Sequence, residues 1–153
     1  MTQFSDYLNF NNNIGKNILA IDYGDKVIGL ASFSPGKDPY PLIYGRIINK
    51  SLAKSLDELK QIIENEFFEL AIFGIPYLTD GGESKKTIEM KKIFTIFESK
   101  FPEVEFITQD ETLTTFSAKE RMKNSPEYNF KVDLTKIDEV SAVIILEDYI
   151  REN

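Results

Sequence analysis

Four acidic side chains sit where a strand ends or a helix begins. Asp22 follows the apolar run Ile18-Leu19-Ala20-Ile21, Asp110 and Glu111 precede Thr112-Leu113-Thr114-Thr115, and Asp138 opens the last amphipathic stretch. Each has an ordinary structural use. Asp is common wherever a chain reverses, so Asp22 taken alone is a turn residue. Asp110 and Glu111 suit the positive end of a helix. Thr135-Lys136-Ile137-Asp138 fits a capping box with Thr135 as the N-cap. The surroundings favour chemistry. Asp22 comes after four apolar residues on what should be a central strand, where an ionised group at the rim needs a partner or a metal. Gly24, two residues on, would let a phosphate approach the backbone. Asp138 shares a helical stripe with Ser141, Ala142 and Ile145, which would turn it toward the sheet, whereas Glu139 and Glu147 lie off that stripe. Neighbouring strand residues point to opposite faces, so in a regular strand only one of Asp110 and Glu111 enters a shared site, and Glu111 is preferred.

Composition narrows the chemistry further. Among 153 residues there is no His and no Cys. An imidazole base, a thiolate nucleophile, a disulfide framework and a Cys/His zinc site are therefore excluded. Oxygen ligands for Mg2+ or Mn2+ remain. The balance of 18 basic against 25 acidic residues, a net charge of −7, opposes a polyanion over the surface as a whole. Bound cations would reverse that sign locally. Asp22, Glu111 and Asp138 converging as metal ligands suit two-metal hydrolysis of a phosphodiester, with Asp110 the alternative acid.

The elements that must position these groups are legible in the pattern. Residues 1–16 are polar, with Tyr7, Leu8 and Phe10 too few for a core, and read as a flexible extension. Residues 17–153 read as one domain of ordinary size. Strands are expected at Ile18–Ile21, Val27–Phe33, Leu42–Ile48, Leu70–Gly74 and Val104–Thr108, and helices from Ser51, over Ser84–Lys100, Leu113–Lys123 and Lys136–Ile150. Tight turns make the first three strands antiparallel. Each later strand arrives through a helix and lies parallel, giving a mixed five-stranded sheet with helices on both faces. Ligands of such α/β sheets gather at the carboxyl ends of the parallel strands. The loop over 124–133 is longer than its connection needs, and gating of a cleft or a homodimer contact are the uses open to it. No run of about 18 apolar residues occurs and no basic leader precedes an apolar segment, so a cytoplasmic protein with no membrane partner is expected.

With those residues in view, the chain resembles the YqgF/RuvX family of ribonuclease H-like nucleases. The likeness is carried by the block from Ile18 to Ala31, by Phe73-Gly74-Ile75-Pro76 with Asp80-Gly81, by Asp110 to Thr115 and by Lys136 to Leu146, in that order. The resemblance implies a ribonuclease H-like fold and a metal-dependent nuclease that matures the 5′ end of pre-16S rRNA, with resolution of branched DNA at Holliday junctions the older proposal. It implies that Asp22, Asp110 or Glu111, and Asp138 are the active-site acids. Lys26, Gly24 and Thr114 are the expected substrate contacts. Family members usually carry a basic residue at Val27, an uncharged one at Asp25, an Asn at Leu78 and an Arg at Thr112. Lys85, Lys86, Lys91, Lys92, Lys119, Arg121 and Lys123 are available for a basic rim, although solvated helix faces account for most such residues.

Two rival classes share these features. An ATP-binding module of the actin and sugar-kinase type has a similar sheet and an Asp-x-Gly hairpin, but holds its nucleotide between two lobes. A non-catalytic binding or scaffold domain would keep the fold and lose the chemistry.

Overall fold

The computed structural model describes residues 2–152. Five strands, β1 (Ile18–Tyr23), β2 (Val27–Phe33), β3 (Leu42–Ile48), β4 (Leu70–Ile75) and β5 (Glu105–Asp110), form one sheet in the order β3-β2-β1-β4-β5. Only Gly24-Asp25-Lys26 separates β1 from β2, so the two strands must pair antiparallel, and β3 returns antiparallel on β2. A crossover is needed to reach β4 and again β5, and both lie parallel to their neighbours. The five helices are α1 (Leu8–Asn11), α2 (Leu52–Glu66), α3 (Lys85–Lys100), α4 (Thr114–Lys123) and α5 (Ile137–Arg151). The mixed α/β architecture expected from the sequence is the one observed.

The period of two along each strand divides the core. Leu19, Ile21 and Tyr23 of β1 join Ala71, Phe73 and Ile75 of β4 in one cluster, covered by Leu59 and Ile63 of α2 and Met90 and Phe97 of α3. Ile18 and Ala20 join Leu70 and Ile72 on the other face, beneath Ala142, Ile145, Leu146 and Tyr149 of α5. By the same alternation Asp22 and Gly74 belong to the α5 face. Ser51 and Ser84 cap α2 and α3 through their hydroxyls, which fixes where each crossover helix begins. Asn49 joins hairpin to helix: its amide donates to the Gly24 carbonyl at 2.9 Å, and its oxygen accepts from Ser55 at 2.8 Å.

Three details differ from expectation. The segment before β1 is docked rather than loose: a short 3-10 turn (Phe4–Asp6) and α1 place Phe4, Tyr7 and Phe10 against the cluster under α5. Asn9 donates to the Tyr149 carbonyl at 2.8 Å, and Asn13, itself buried, donates to the Tyr149 hydroxyl at 3.2 Å. A few apolar side chains suffice because the core they join is made elsewhere. The capping box at α5 is also absent. Lys136 is the N-cap without a side-chain bond, and Thr135 instead donates its N–H and hydroxyl to Asp133. Finally, β5 runs through Asp110, two residues past the expected end.

Candidate active site

The centre of the site is a row across the sheet. Asp22 is the cross-strand partner of Gly29 on β2, and it stands one residue beyond the pair Ile21–Phe73, which brings it level with Gly74 on β4. Glycine on both sides leaves the α5 face open around one carboxylate. Both glycines are needed. A Cβ on Gly29 would overlap the carbonyl of Asp138 and stand 2.8 Å from the Glu139 nitrogen. A Cβ on Gly74 would stand 2.6 Å from the Ile145 Cδ1 and 3.0 Å from the Glu111 carboxyl carbon. Helix α5 therefore crosses the row obliquely, with Asp138 over β2 and Ile145 over β4. Ser141, Ala142 and Ile145 are buried along this face, as the stripe containing Asp138 predicts.

Because β5 continues regularly through Asp110, alternation separates the acidic pair. Gln109 pairs with Gly74, and the Glu111 N–H continues the ladder to the Ile75 carbonyl at 3.0 Å. Glu111 turns to the α5 face, where its carboxyl group lies beside Gly74 and acts on that of Asp22. Asp110 is exposed and accepts from the Thr112 N–H at 2.8 Å and the Thr112 hydroxyl at 2.5 Å. The structure thus places Asp110, the alternative acid, on the opposite face from Asp22, where it caps the turn leading into α4.

Burial and mutual repulsion govern the protonation of the pair. Desolvation pushes Glu111 up to about 9, reinforced by the charge of Asp22, by the hydrogen bond it donates to Asp22, and by Asp110. Desolvation also raises Asp22, to about 6, with Asp138 adding repulsion and the bond from Glu111 opposing it. Burial and mutual repulsion thus favour a proton retained by the pair as a whole. Desolvation raises Asp138 as well, opposed by a backbone N–H and by the guanidinium of Arg46. Among the described residues no three acidic groups stand close enough together to hold a metal ion. The donor set is all oxygen, and Asp22 with Glu111 would suit a hard divalent cation once deprotonated, while Asp138 stands apart on the first turn of α5.

The expected substrate contacts divide. Lys26 is exposed beside the site. Gly24 is required by the hairpin itself, since a Cβ there would overlap the Val27 carbonyl. Thr114 is only 3% exposed and its N–H donates to the Glu111 carbonyl at 3.0 Å, so its side chain is closed to a polymer and it holds the turn.

Two cations act on the carboxylates, Lys86, one of the residues available for a basic rim, and Arg46, which the sequence did not single out. Arg46 on β3 donates to the Thr135 carbonyl and stands 3.8 Å from Glu139, pinning the start of α5. Lys86 in the first turn of α3 opposes the upward shift of Glu111 and pairs with Asp25 at 3.1 Å. The hydroxyl of Thr87 beside it donates to the Pro76 carbonyl, which holds this end of α3 at the carboxyl end of β4. Neither cation lies in a motif, and only the folded chain brings them near.

Comparison with known proteins agrees with this architecture. The chain is 33% identical over 133 residues to a protein of Thermus thermophilus named "Putative pre-16S rRNA nuclease", an alignment covering 86% of this chain and 94% of the relative. A protein of the same name from Shewanella oneidensis is 33% identical over 137 residues, covering 88% and 93%. Among solved structures, T. thermophilus RuvC bound to a Holliday junction superposes with a TM-score of 0.57 at 9% identity, covering 90% of this chain and 96% of that one. Fowlpox virus resolvase with its junction DNA gives 0.56 at 15% identity, covering 89% and 97%. These structural likenesses establish the fold as ribonuclease H-like. A family model described as RuvX, Holliday junction resolvase, matches residues 16–152, and with these relatives it shows that the chain belongs to the RuvX family.

Proposed function

We propose that this protein is a divalent-metal-dependent nuclease that hydrolyses phosphodiester bonds, acting on ribosomal RNA precursors, with Asp22, Glu111 and Asp138 as its acids. The observation that carries the reading is the placement of the Asp22 and Glu111 carboxyl groups on one face of the sheet, beside Gly29 and Gly74 and beneath α5, where burial raises both. A turn aspartate and a helix cap have no use for a shared, desolvated proton. Perturbed carboxyl groups facing each other at the carboxyl ends of strands mark a site in which a cation can replace that proton. The names of the relatives support pre-16S rRNA as the substrate.

When bound, Mg2+ or Mn2+ would supply the positive charge that offsets phosphate charge in the transition state and lowers the pKa of attacking water. The protein's own part is to hold Asp22 and Glu111 against each other until then. The pair gives up its proton to solvent, Asp22 stays fixed in the sheet, and Arg46 anchors the helix turn that carries Asp138. Lys26 is placed to meet the strand at the rim.

The test is cleavage of a pre-rRNA mimic and of a four-way DNA junction with Mg2+ or Mn2+, comparing the natural chain with Asp22→Asn and Asp138→Asn. Metal-dependent cleavage of the RNA that both substitutions abolish supports the reading. Equal cleavage by all three proteins overturns it, and cleavage confined to the junction reassigns the substrate to branched DNA. No helix among the described residues is long and apolar enough to cross a membrane.

A further inference from the structure

We propose that Lys86 contacts a backbone phosphate of the substrate beside the cleavage site, and that Asp25 occupies this lysine until the phosphate displaces it. The inference rests on the nuclease reading and adds a substrate contact to it. The site is rich in acids, and a phosphodiester approaching Asp22, Glu111 and Asp138 needs fixed cations nearby. Two act on these carboxylates through space, Arg46 on Asp138 and Lys86 on Glu111. Arg46 is committed to the Thr135 carbonyl and to Glu139, contacts that hold α5 in place. Lys86 is differently engaged. Its ammonium lies 3.1 Å from Asp25 and 3.9 Å from Glu89, and both carboxylates are well exposed, at 73% and 53%.

Exposed ion pairs of this kind are weak and screened, so one anion replaces another at little cost. The backbone around Lys86 is fixed, because the adjacent Thr87 is fully buried and tied to the Pro76 carbonyl while Ser84 caps the helix. A rigid base under a mobile ammonium lets Lys86 swing from the hairpin carboxylate to a phosphate without disturbing the fold. Asp25 sits at the tip of the turn that follows Asp22, so the pair bridges β1–β2 and α3 across the entrance to the carboxylates. Neighbouring Lys91 is already engaged by Glu83 at 2.5 Å and by the face of Tyr77, and is no substitute.

The experiment is equilibrium binding of a single-stranded RNA oligonucleotide to the full chain, titrated with KCl in Ca2+, with the strand checked for integrity. Asp25→Asn, Lys86→Gln and the double variant are compared with the natural chain, and thermal melts confirm that each is folded. Lys86→Gln is expected to weaken binding severalfold and to reduce the magnitude of the salt slope by about 0.7, one phosphate contact on a single strand. Asp25→Asn is expected to tighten binding severalfold, and to have no such effect once Lys86 is Gln. An Asp25→Asn gain of equal size in both backgrounds is a general field effect and overturns the proposal, as does an unchanged salt slope in Lys86→Gln. Absence of RNA binding in all four proteins overturns the nuclease reading and this inference with it, whereas binding indifferent to Lys86 overturns this inference alone.

Discussion

Gly29 stands directly beneath the main chain of Asp138, so close that the smallest side chain would overlap the Asp138 carbonyl. Since Gly29 is also the cross-strand partner of Asp22, one position sets the distance between two acids that are far apart in sequence. Gly29→Ala is expected to lift the first turn of α5, costing on the order of 1–3 kcal/mol as overpacked cores do. Urea denaturation measures the loss, and Mg2+ affinity should fall with it. Full stability in the variant would show that α5 is free to shift.

The pH dependence of the metal-free protein follows from Glu111. A carboxyl group raised from 4.5 to about 9 by folding binds its proton more tightly in the native state. The native protein therefore carries more protons than the unfolded chain above pH 4.5, and stability falls as pH rises through this window toward 9. Asp22 acts in the same direction over a narrower range. In EDTA, the melting temperature should decline between pH 6 and pH 9. In Glu111→Gln the decline should be shallower and the Tm at pH 9 higher than in the natural chain. A steeper decline in the variant would contradict the shared proton.

Cation binding must expel that proton. Calorimetry at pH 7 in buffers of different ionisation enthalpy should report release of about one proton per binding event, and affinity should strengthen as pH rises. Glu111→Gln should abolish the release. Binding with no buffer dependence would place the cation elsewhere.

The two neighbours Asp110 and Glu111 should separate cleanly by substitution. Asp110→Ala removes the acceptor for the Thr112 N–H and hydroxyl, with an expected loss of about 0.5–2 kcal/mol and cleavage near that of the natural chain. Glu111→Gln should leave the fold intact and cut the rate by roughly 10²–10³-fold, the scale of losing one electrostatic stabiliser. Thermal melts and cleavage assays on both variants check this. The reverse pattern would mean that the strand parity has been misjudged.

Much of this was readable in the chain. The spans of β2 and β3 match their apolar patterns to the residue, and the order of strands and helices implies the sheet. Alternation implies that Asp110 and Glu111 part to opposite faces, and β5, regular through Asp110, turns Glu111 to the face of Asp22. What was hidden depends on contact between distant segments. Thr135 has the spacing of a cap, yet Asp133 competes for its hydroxyl and wins. Thr114 lies in a polar run, but the turn buries it. Gly29 looks like any strand glycine until a helix is laid across it. Residues 1–16 are too polar to make a core of their own, and Phe33 of β2 together with α5 gives Phe4, Tyr7 and Phe10 something to join.

Helix α5 behaves as a beam fastened at two ends. Arg46 grips the end that bears Asp138, and Asn9 and Asn13 grip Tyr149 about 16 Å away at 1.5 Å per residue. Trimming the chain ahead of Ile18 would therefore release the far bearing of the same rod that holds an active-site acid, so an N-terminal truncation would be sensed at the opposite end as lost alignment.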